Sequence, residues 1–117
     1  MLEGGCFCGK IRYQIAGEIP TIVSCHCSMC RSTSGAPFVT WLVVPAAEFS
    51  YQKGEPKLLK SSEMGSRFFC DECGTPVACS NTTHEAYIDV TLGSLDDPSA
   101  VVPDSEIFTD SKLAWLT

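Results

Sequence analysis

Eight cysteines stand at positions 6, 8, 25, 27, 30, 70, 73 and 79 of a 117-residue chain. Seven of them fall in tight groups: Cys6-Phe7-Cys8, Cys25-His26-Cys27-Ser28-Met29-Cys30 and Cys70-Asp71-Glu72-Cys73. Thiols so close in sequence converge on one point in space. A disulfide framework instead spreads its cysteines to staple distant loops, and it forms in oxidising compartments. The chain opens Met1-Leu2-Glu3-Gly4-Gly5, with no basic start and no apolar run of the kind an export signal needs. The expectation is a cytoplasmic protein whose reduced thiols hold metal, with a set of disulfides as the alternative.

Cys70-x-x-Cys73-Gly74 is the sharpest element. Two residues between ligands let the chain turn and present both sulfurs to one tetrahedral zinc. Gly74 permits the tight turn and lets backbone N–H groups approach the sulfurs. Cys6-x-Cys8-Gly9 has the same ending and is the natural other half. Together they make a closed four-thiolate site, which is structural, and they tie the start of the chain to position 70 across a long loop. The alternative is that Cys6 and Cys8 are core residues on a strand.

Cys25-His26-Cys27-x-x-Cys30-Arg31 is different. It holds three thiols and has no fourth cysteine at matching spacing. A zinc with three protein ligands keeps a position open for water or substrate. Zinc deprotonates a coordinating thiol outright, so a thiol substrate suits such a site. Arg31 is placed to compensate the negative cluster or to clamp a substrate carboxylate. The alternative is a second closed site completed by His26 or Cys79. Neighbouring residues of an extended segment point to opposite sides, so His26 is expected behind the site or at the surface. His84 reads as a loop residue, and Cys79 as a small buried apolar one.

Eight Lys+Arg against 14 Asp+Glu leave a formal net charge of −6. Such a surface does not supply the phosphate contacts that nucleic-acid binding needs. The most apolar stretch, 38–47, is interrupted by Pro45 and is far shorter than the ~20 residues of a spanning helix, so no membrane is expected. The length fits one domain, 1–117. Strand patterns dominate. In 10–15, Ile11, Tyr13 and Ile15 alternate with Lys10, Arg12 and Gln14. In 86–92, Ala86, Ile88, Val90 and Leu92 alternate with Tyr87, Asp89 and Thr91. Residues 38–44 read as a buried strand. Arg67-Phe68-Phe69 and 76–80 read as a hairpin with the cysteine knuckle at its tip. The one helical turn expected covers 28–34.

Read in order, Gly5-Cys6-x-Cys8-Gly9, Tyr13, Cys25-His26-Cys27-x-x-Cys30-Arg31, Gly35, Trp41, Gly54, Arg67-Phe68-Phe69-Cys70-x-x-Cys73-Gly74-Thr75, Ile107-Phe108 and Trp115 resemble the glutathione-dependent formaldehyde-activating enzyme family. That family also includes the centromere protein V domain. The resemblance spans nearly the whole chain. It implies an all-β zinc fold of small sheets with little helix. It also implies a structural zinc at Cys6, Cys8, Cys70 and Cys73, and a second, more labile and partly occupied zinc at Cys25, Cys27 and Cys30.

The activity it implies is that of a carbon–sulfur lyase. Such an enzyme makes or breaks an adduct of glutathione, or another small thiol, with formaldehyde, as in S-hydroxymethylglutathione. Cys25, Cys27, Cys30 and Arg31 are then the catalytic group. Arg67 is a further candidate for holding carboxylates, and Phe38 and Trp41 are candidates for the pocket wall or for the core. The rival readings are a non-catalytic zinc module that binds a protein, and a thiol or zinc sensor. The chain departs from the family in two places: Glu106 stands where members often carry histidine, and members usually continue beyond the tryptophan matched by Trp115, whereas this chain stops at Thr117. Both changes fall at the expected active-site rim.

Overall fold

A computed structural model describes residues 1–19 and 21–116. Its elements run β1 (Leu2–Gly5), β2 (Arg12–Ile15), β3 (Thr21–Cys25), α1 (Ser28–Ser34), β4 (Val39–Pro45), β5 (Phe49–Lys53), β6 (Lys57–Lys60), β7 (Gly65–Phe69), β8 (Pro76–Asn81), β9 (Tyr87–Thr91) and β10 (Ser105–Ile107). Short 3-10 turns join several of them. The strands form a three-stranded sheet, β1-β2-β5, and a seven-stranded sheet, β10-β3-β4-β9-β8-β7-β6. The pairings are antiparallel except that β10 lies parallel to β3. The fold is mostly β with a single α-helix among the described residues, as the all-β expectation has it. The expectation about the end at Thr117 lies outside the described residues.

The alternation of side chains along each strand gives the large sheet two chemically distinct faces. Ile22, Leu42, Val44, Ala78 and Val90 point to one side and pack against Tyr13 and Ile15 of the small sheet. Phe49 and Tyr51 of β5 close over them, Phe49 lying 5.2 Å from Tyr13 and 4.9 Å from Tyr51, centroid to centroid. Leu42, Val44, Val77 and Val90 are completely buried, each contributing about 1.5–3 kcal/mol relative to exposure. The opposite face carries Val23, Trp41, Val43, Asp89, Cys79 and Arg67. The strand register sets these side by side: Val23 opposite Trp41, Val43 opposite Asp89, Asp89 opposite Cys79, Cys79 opposite Arg67. One face is therefore core, and the other is free to be a site.

Strands 12–15, 39–45, 87–91 and the 65–81 hairpin lie where their alternation and apolar runs place them, and the helix occupies 28–34. The strands β1, β3, β5, β6 and β10 carry weaker patterns. β1 shows why: it is Leu2-Glu3-Gly4-Gly5, which has no alternation to read. Its glycines answer to close packing, because a Cβ on Gly4 would strike the Tyr13 hydroxyl and the Ser94 carbonyl, and one on Gly5 the Ile11 carbonyl.

Candidate metal centres and active-site pocket

The first cysteine group is built from two matching turns. Gly9 N–H donates to the Cys6 carbonyl at 3.1 Å, and Gly74 N–H to the Cys70 carbonyl at 2.8 Å. Each turn ends in a glycine at φ 81°, with open space where a Cβ would sit. The glycine is required by the left-handed backbone rather than by crowding. The turns are bound to each other: Phe7 N–H donates to the Thr75 hydroxyl at 3.0 Å, and Lys10 pairs with Asp71 at 2.7 Å. The sulfurs of Cys6, Cys8, Cys70 and Cys73 come within 4.8 Å of one another. Cys6 and Cys70 are buried beside Ile11.

These residues fit a bound zinc. All four thiols are free, and an all-sulfur donor set selects a soft ion held tetrahedrally. Donors already point at the sulfurs: Ile11 N–H reaches Cys6 at 3.2 Å, and the Thr75 hydroxyl reaches Cys73 at 3.2 Å. The Thr75 hydroxyl, with the amides of Thr75 and Cys8, pulls Cys73 down to about 5. At Cys8 the Lys10 amide also favours the thiolate. Burial and the three neighbouring thiols outweigh it and push Cys8 up to about 12. Crowded thiols cannot all ionise without a cation among them, and a dication lets them do so.

The second group sits where β3 runs into α1. Cys25 ends the strand. Cys27 is the helix N-cap, its sulfur accepting the Cys30 N–H at 3.2 Å. Cys30 is the buried residue of the helix, 3.4 Å from Cys25, sulfur to sulfur. The three sulfurs lie within 4.8 Å of one another, and neither His26 nor Cys79 joins them among the described residues. The hydrogen bond with Cys25, then those with Cys27, Arg67 and Trp41, draw Cys30 down to about 5, and the same contact drives Cys25 up. Three soft donors of this kind fit a metal ion that keeps a further position open.

All three cysteines open on a cavity of about 480 Å³. Val23, Trp41, Val43, Cys79 and Arg67 line it, so the free face of the large sheet is its floor. The guanidinium of Arg67 stacks on Trp41 at 5.8 Å, sends Nη2 to Cys30 at 3.6 Å, and has a buried Nε with no partner. The cysteines of the first group are absent from this lining.

Two residues take places other than a pocket role would give them, and His26 lies behind the site as expected. Arg31 does not line the cavity. Its Nη1 donates to the carbonyls of His26 at 2.8 Å and Ser111 at 2.7 Å, so it binds the C-terminal tail to the cysteine loop. Phe38 lies outside the cavity lining and stacks on His26 at 5.0 Å. His26, 1% exposed, turns away from the sulfurs and bonds Glu106 at 2.8 Å through Nε2. Glu106 also takes Lys112 at 3.0 Å, and Lys112 and then His26 hold its carboxyl below the usual range.

The sequence gives His84 and Asp89 no functional role, and Cys79 only that of an alternative fourth ligand. His84 stands at the cavity edge in a 3-10 turn, and Cys79 forms part of the floor. Asp89, also in the lining, is pushed up to about 6 by burial. The strand alternation places Asp89 on the face opposite Val90 but says nothing of a cavity there. The rim is completed by Ile107 and by Phe108, the latter in left-handed backbone at φ 54°.

With this geometry in view, the comparison with known families is decisive. The family model described as glutathione-dependent formaldehyde-activating enzyme matches residues 1–111. The chain belongs to that family. Among curated relatives, an uncharacterized lyase of Schizosaccharomyces pombe is 33% identical over 73 residues, covering 62% of this chain and 53% of the relative. A Halomonas elongata protein named "Putative glutathione-dependent formaldehyde-activating enzyme" is 34% identical over 85 residues, covering 64% of this chain and 53% of its own length. The chain thus spans about half the length of the curated relatives it matches. A crystal structure of a Rhodobacter sphaeroides protein superimposes with a TM-score of 0.71 at 18% identity, covering 89% of this chain and 98% of that one. That likeness speaks for the fold alone. The two cysteine groups are consistent with zinc in this family. No helix among the described residues is long and apolar enough to cross a membrane.

Proposed function

We propose that this chain is a zinc-dependent carbon–sulfur lyase-type enzyme. It makes or breaks the adduct between a small thiol such as glutathione and an aldehyde, of the S-hydroxymethylglutathione kind. One observation carries the reading. Three clustered thiols, joined by no fourth sulfur among the described residues, open into a walled cavity of about 480 Å³, within the range of small-molecule sites. The first cysteine group supports a structural role, being a four-thiol set with Cys6 and Cys70 buried, away from the cavity. Zinc bound at Cys25, Cys27 and Cys30 would supply an open position and Lewis acidity.

The rest of the work falls to the chain's own side chains. Trp41, Val23 and Val43 form a largely apolar wall that excludes water from the reacting sulfur. Arg67 offers a guanidinium with an unpartnered Nε, suited to a substrate carboxylate or to the charge of a thiolate. Arg31, through its two carbonyl contacts, holds the cysteine loop and the tail in register. The two sheets share one core, which supports a single domain over 1–117. Eight free thiols suit a reducing compartment such as the cytoplasm, and the net charge of −6 favours a small thiol over nucleic acid as partner.

The test is turnover by the zinc-loaded chain of glutathione with formaldehyde, read as exchange above the uncatalysed rate, for parent and Cys27→Ser together. Serine keeps a good helix N-cap, so the expected result is one zinc lost, the circular dichroism spectrum kept and turnover gone. Loss of fold in Cys27→Ser would favour the non-catalytic zinc module. A parent inactive on every thiol–aldehyde adduct would overturn the reaction, and release of one zinc by added thiol would then favour the sensor.

A further inference from the structure

Asp89 differs from the paired acidic groups of the fold. Asp71 is held by Lys10, Asp96 by Arg12, Asp104 by Thr21 and the Ile22 amide, and Glu106 by Lys112 and His26. Each of these carboxyls is pulled below its usual range by those partners. Asp89 accepts no hydrogen bond among the described residues, and its shift runs the other way, with burial as the leading cause. Its register neighbours are Val43 on one side and Cys79 on the other. Nothing in the packing of the sheet calls for a carboxylate there, and an unpaired carboxyl in such a place costs free energy. Its side chain lines the same cavity as Cys25, Cys27 and Cys30.

We propose that Asp89 is the proton-transfer residue of this cavity, acting on the oxygen of the thiol–aldehyde adduct. The inference rests on the function proposed above and adds the acid–base group that it requires. To form the adduct, the thiolate lone pair makes the S–C bond, the carbonyl π pair moves onto oxygen, and that oxygen takes the proton of the Asp89 carboxyl. To cleave it, the Asp89 carboxylate removes the hydroxyl proton, the C=O bond forms, and the S–C pair leaves with sulfur as thiolate. No oxidant or further reactant is needed. A carboxyl lifted toward neutrality by an apolar site is suited to both directions, because an acid–base catalyst works best with a pKa near the working pH.

The charged and titratable groups around Asp89 come from each neighbouring element. They are Arg67 of β7, Cys79 of β8, Tyr87 of its own strand, His84 of the preceding turn and Cys30 of α1; β4 contributes Val43 and Trp41, which carry no charge. His84 and Arg67 favour its carboxylate and Cys30 opposes it, and burial outweighs them all.

The experiment compares zinc-loaded parent, Asp89→Asn and His84→Gln in cleavage of S-hydroxymethylglutathione between pH 5 and 8, with zinc content measured at each pH. Cleavage needs the carboxylate. The parent rate should fall about tenfold per pH unit on the acid side, where the carboxyl takes up its proton, at constant zinc. Asp89→Asn should lose about 100-fold or more and lack this limb, with zinc content and glutathione affinity unchanged, whereas His84→Gln should keep the limb. A limb retained in Asp89→Asn, or lost in His84→Gln instead, would overturn the assignment.

A second arm needs neither turnover nor a variant. In the zinc-loaded parent, the carbon-13 carboxyl resonance of Asp89 should shift on adding S-(2-hydroxyethyl)glutathione and not on adding S-ethylglutathione, because only the first presents a hydroxyl. An equal response to both, or to neither, would overturn the assignment. An inactive parent would refute the proposed reaction, and the placement of Asp89 would then stand or fall on this resonance.

Discussion

The two cysteine groups present the same atoms in different settings. The group of Cys6, Cys8, Cys70 and Cys73 joins turns that are 60 residues and more apart in the chain, each closed by a glycine at φ 81°. The group of Cys25, Cys27 and Cys30 closes only the short passage from β3 into α1, and it faces a cavity. A cross-link between distant segments restricts the unfolded chain strongly, and one within six residues hardly does so. This supports the proposed division, in which the first group stabilises the fold and the second serves chemistry. Their surroundings agree. The first is roofed by Ile11 and bound by backbone amides, while the second meets the guanidinium of Arg67, which stacks on Trp41 and reaches Cys30.

The largest effect that would break this contrast is loss of a ligand in the first group. Cys73→Ser should unfold the chain or abolish soluble expression, because a structural zinc contributes on the order of 10 kcal/mol, comparable to the whole net stability of a domain. A soluble variant with an unchanged melting temperature would remove the distinction. Chelator titration followed by metal analysis gives the next test. Two zinc ions should leave in separate steps, the three-thiol site first and without a change in circular dichroism, the four-thiol site later and together with unfolding. Simultaneous release would make the two sites equivalent.

A smaller effect should come from Gly74→Ala. The position has open space for a methyl group but sits at φ 81°, so its cost is purely conformational, about 1–2 kcal/mol. Thermal melts should show it, with both zinc ions retained. The smallest effect concerns the tail clasp over the second group. The Glu106 carboxyl is held below its usual range by Lys112 and then His26. The folded-state value is depressed, so the clasp contributes fully above the unfolded value and is lost as pH falls through the folded one. Hydrogen exchange of residues 105–107 should quicken only at that acidic end. In Glu106→Gln it should already be fast at neutral pH, with the core strands unchanged.

Some parts of this molecule were legible from the chain alone. Cys70-x-x-Cys73-Gly74 announces its turn because two sulfurs, one glycine and the backbone between them suffice to build it. The same locality made the 28–34 helix and the alternating strands readable. Arg31 shows the limit. Its position after Cys30 suggested a clamp for substrate, but the partners that engage it, the carbonyls of His26 and Ser111, include one from a tail 80 residues away. β6 is Lys57-Leu58-Leu59-Lys60, with all four residues exposed at a sheet edge, so neither alternation nor burial marks it. Glu106 departs from the histidine frequent in the family, and its role emerges only because β10 lies parallel to β3 and sets it opposite Ser24, beside His26.

What the sequence alone determined was the two thiol groups, their spacing and the family they mark, since ligand pairs within one turn depend on nothing beyond a few neighbouring residues. The cavity was decided by tertiary structure. Val23, Trp41, Val43, Asp89, Cys79 and Arg67 come from five strands scattered from residue 23 to residue 89. They share a floor because register and alternation send them to one face of a sheet whose other face the core has claimed. Whether a lone carboxylate such as Asp89 faces water or a closed site depends on which strands flank it, and strand order is a property of the folded chain.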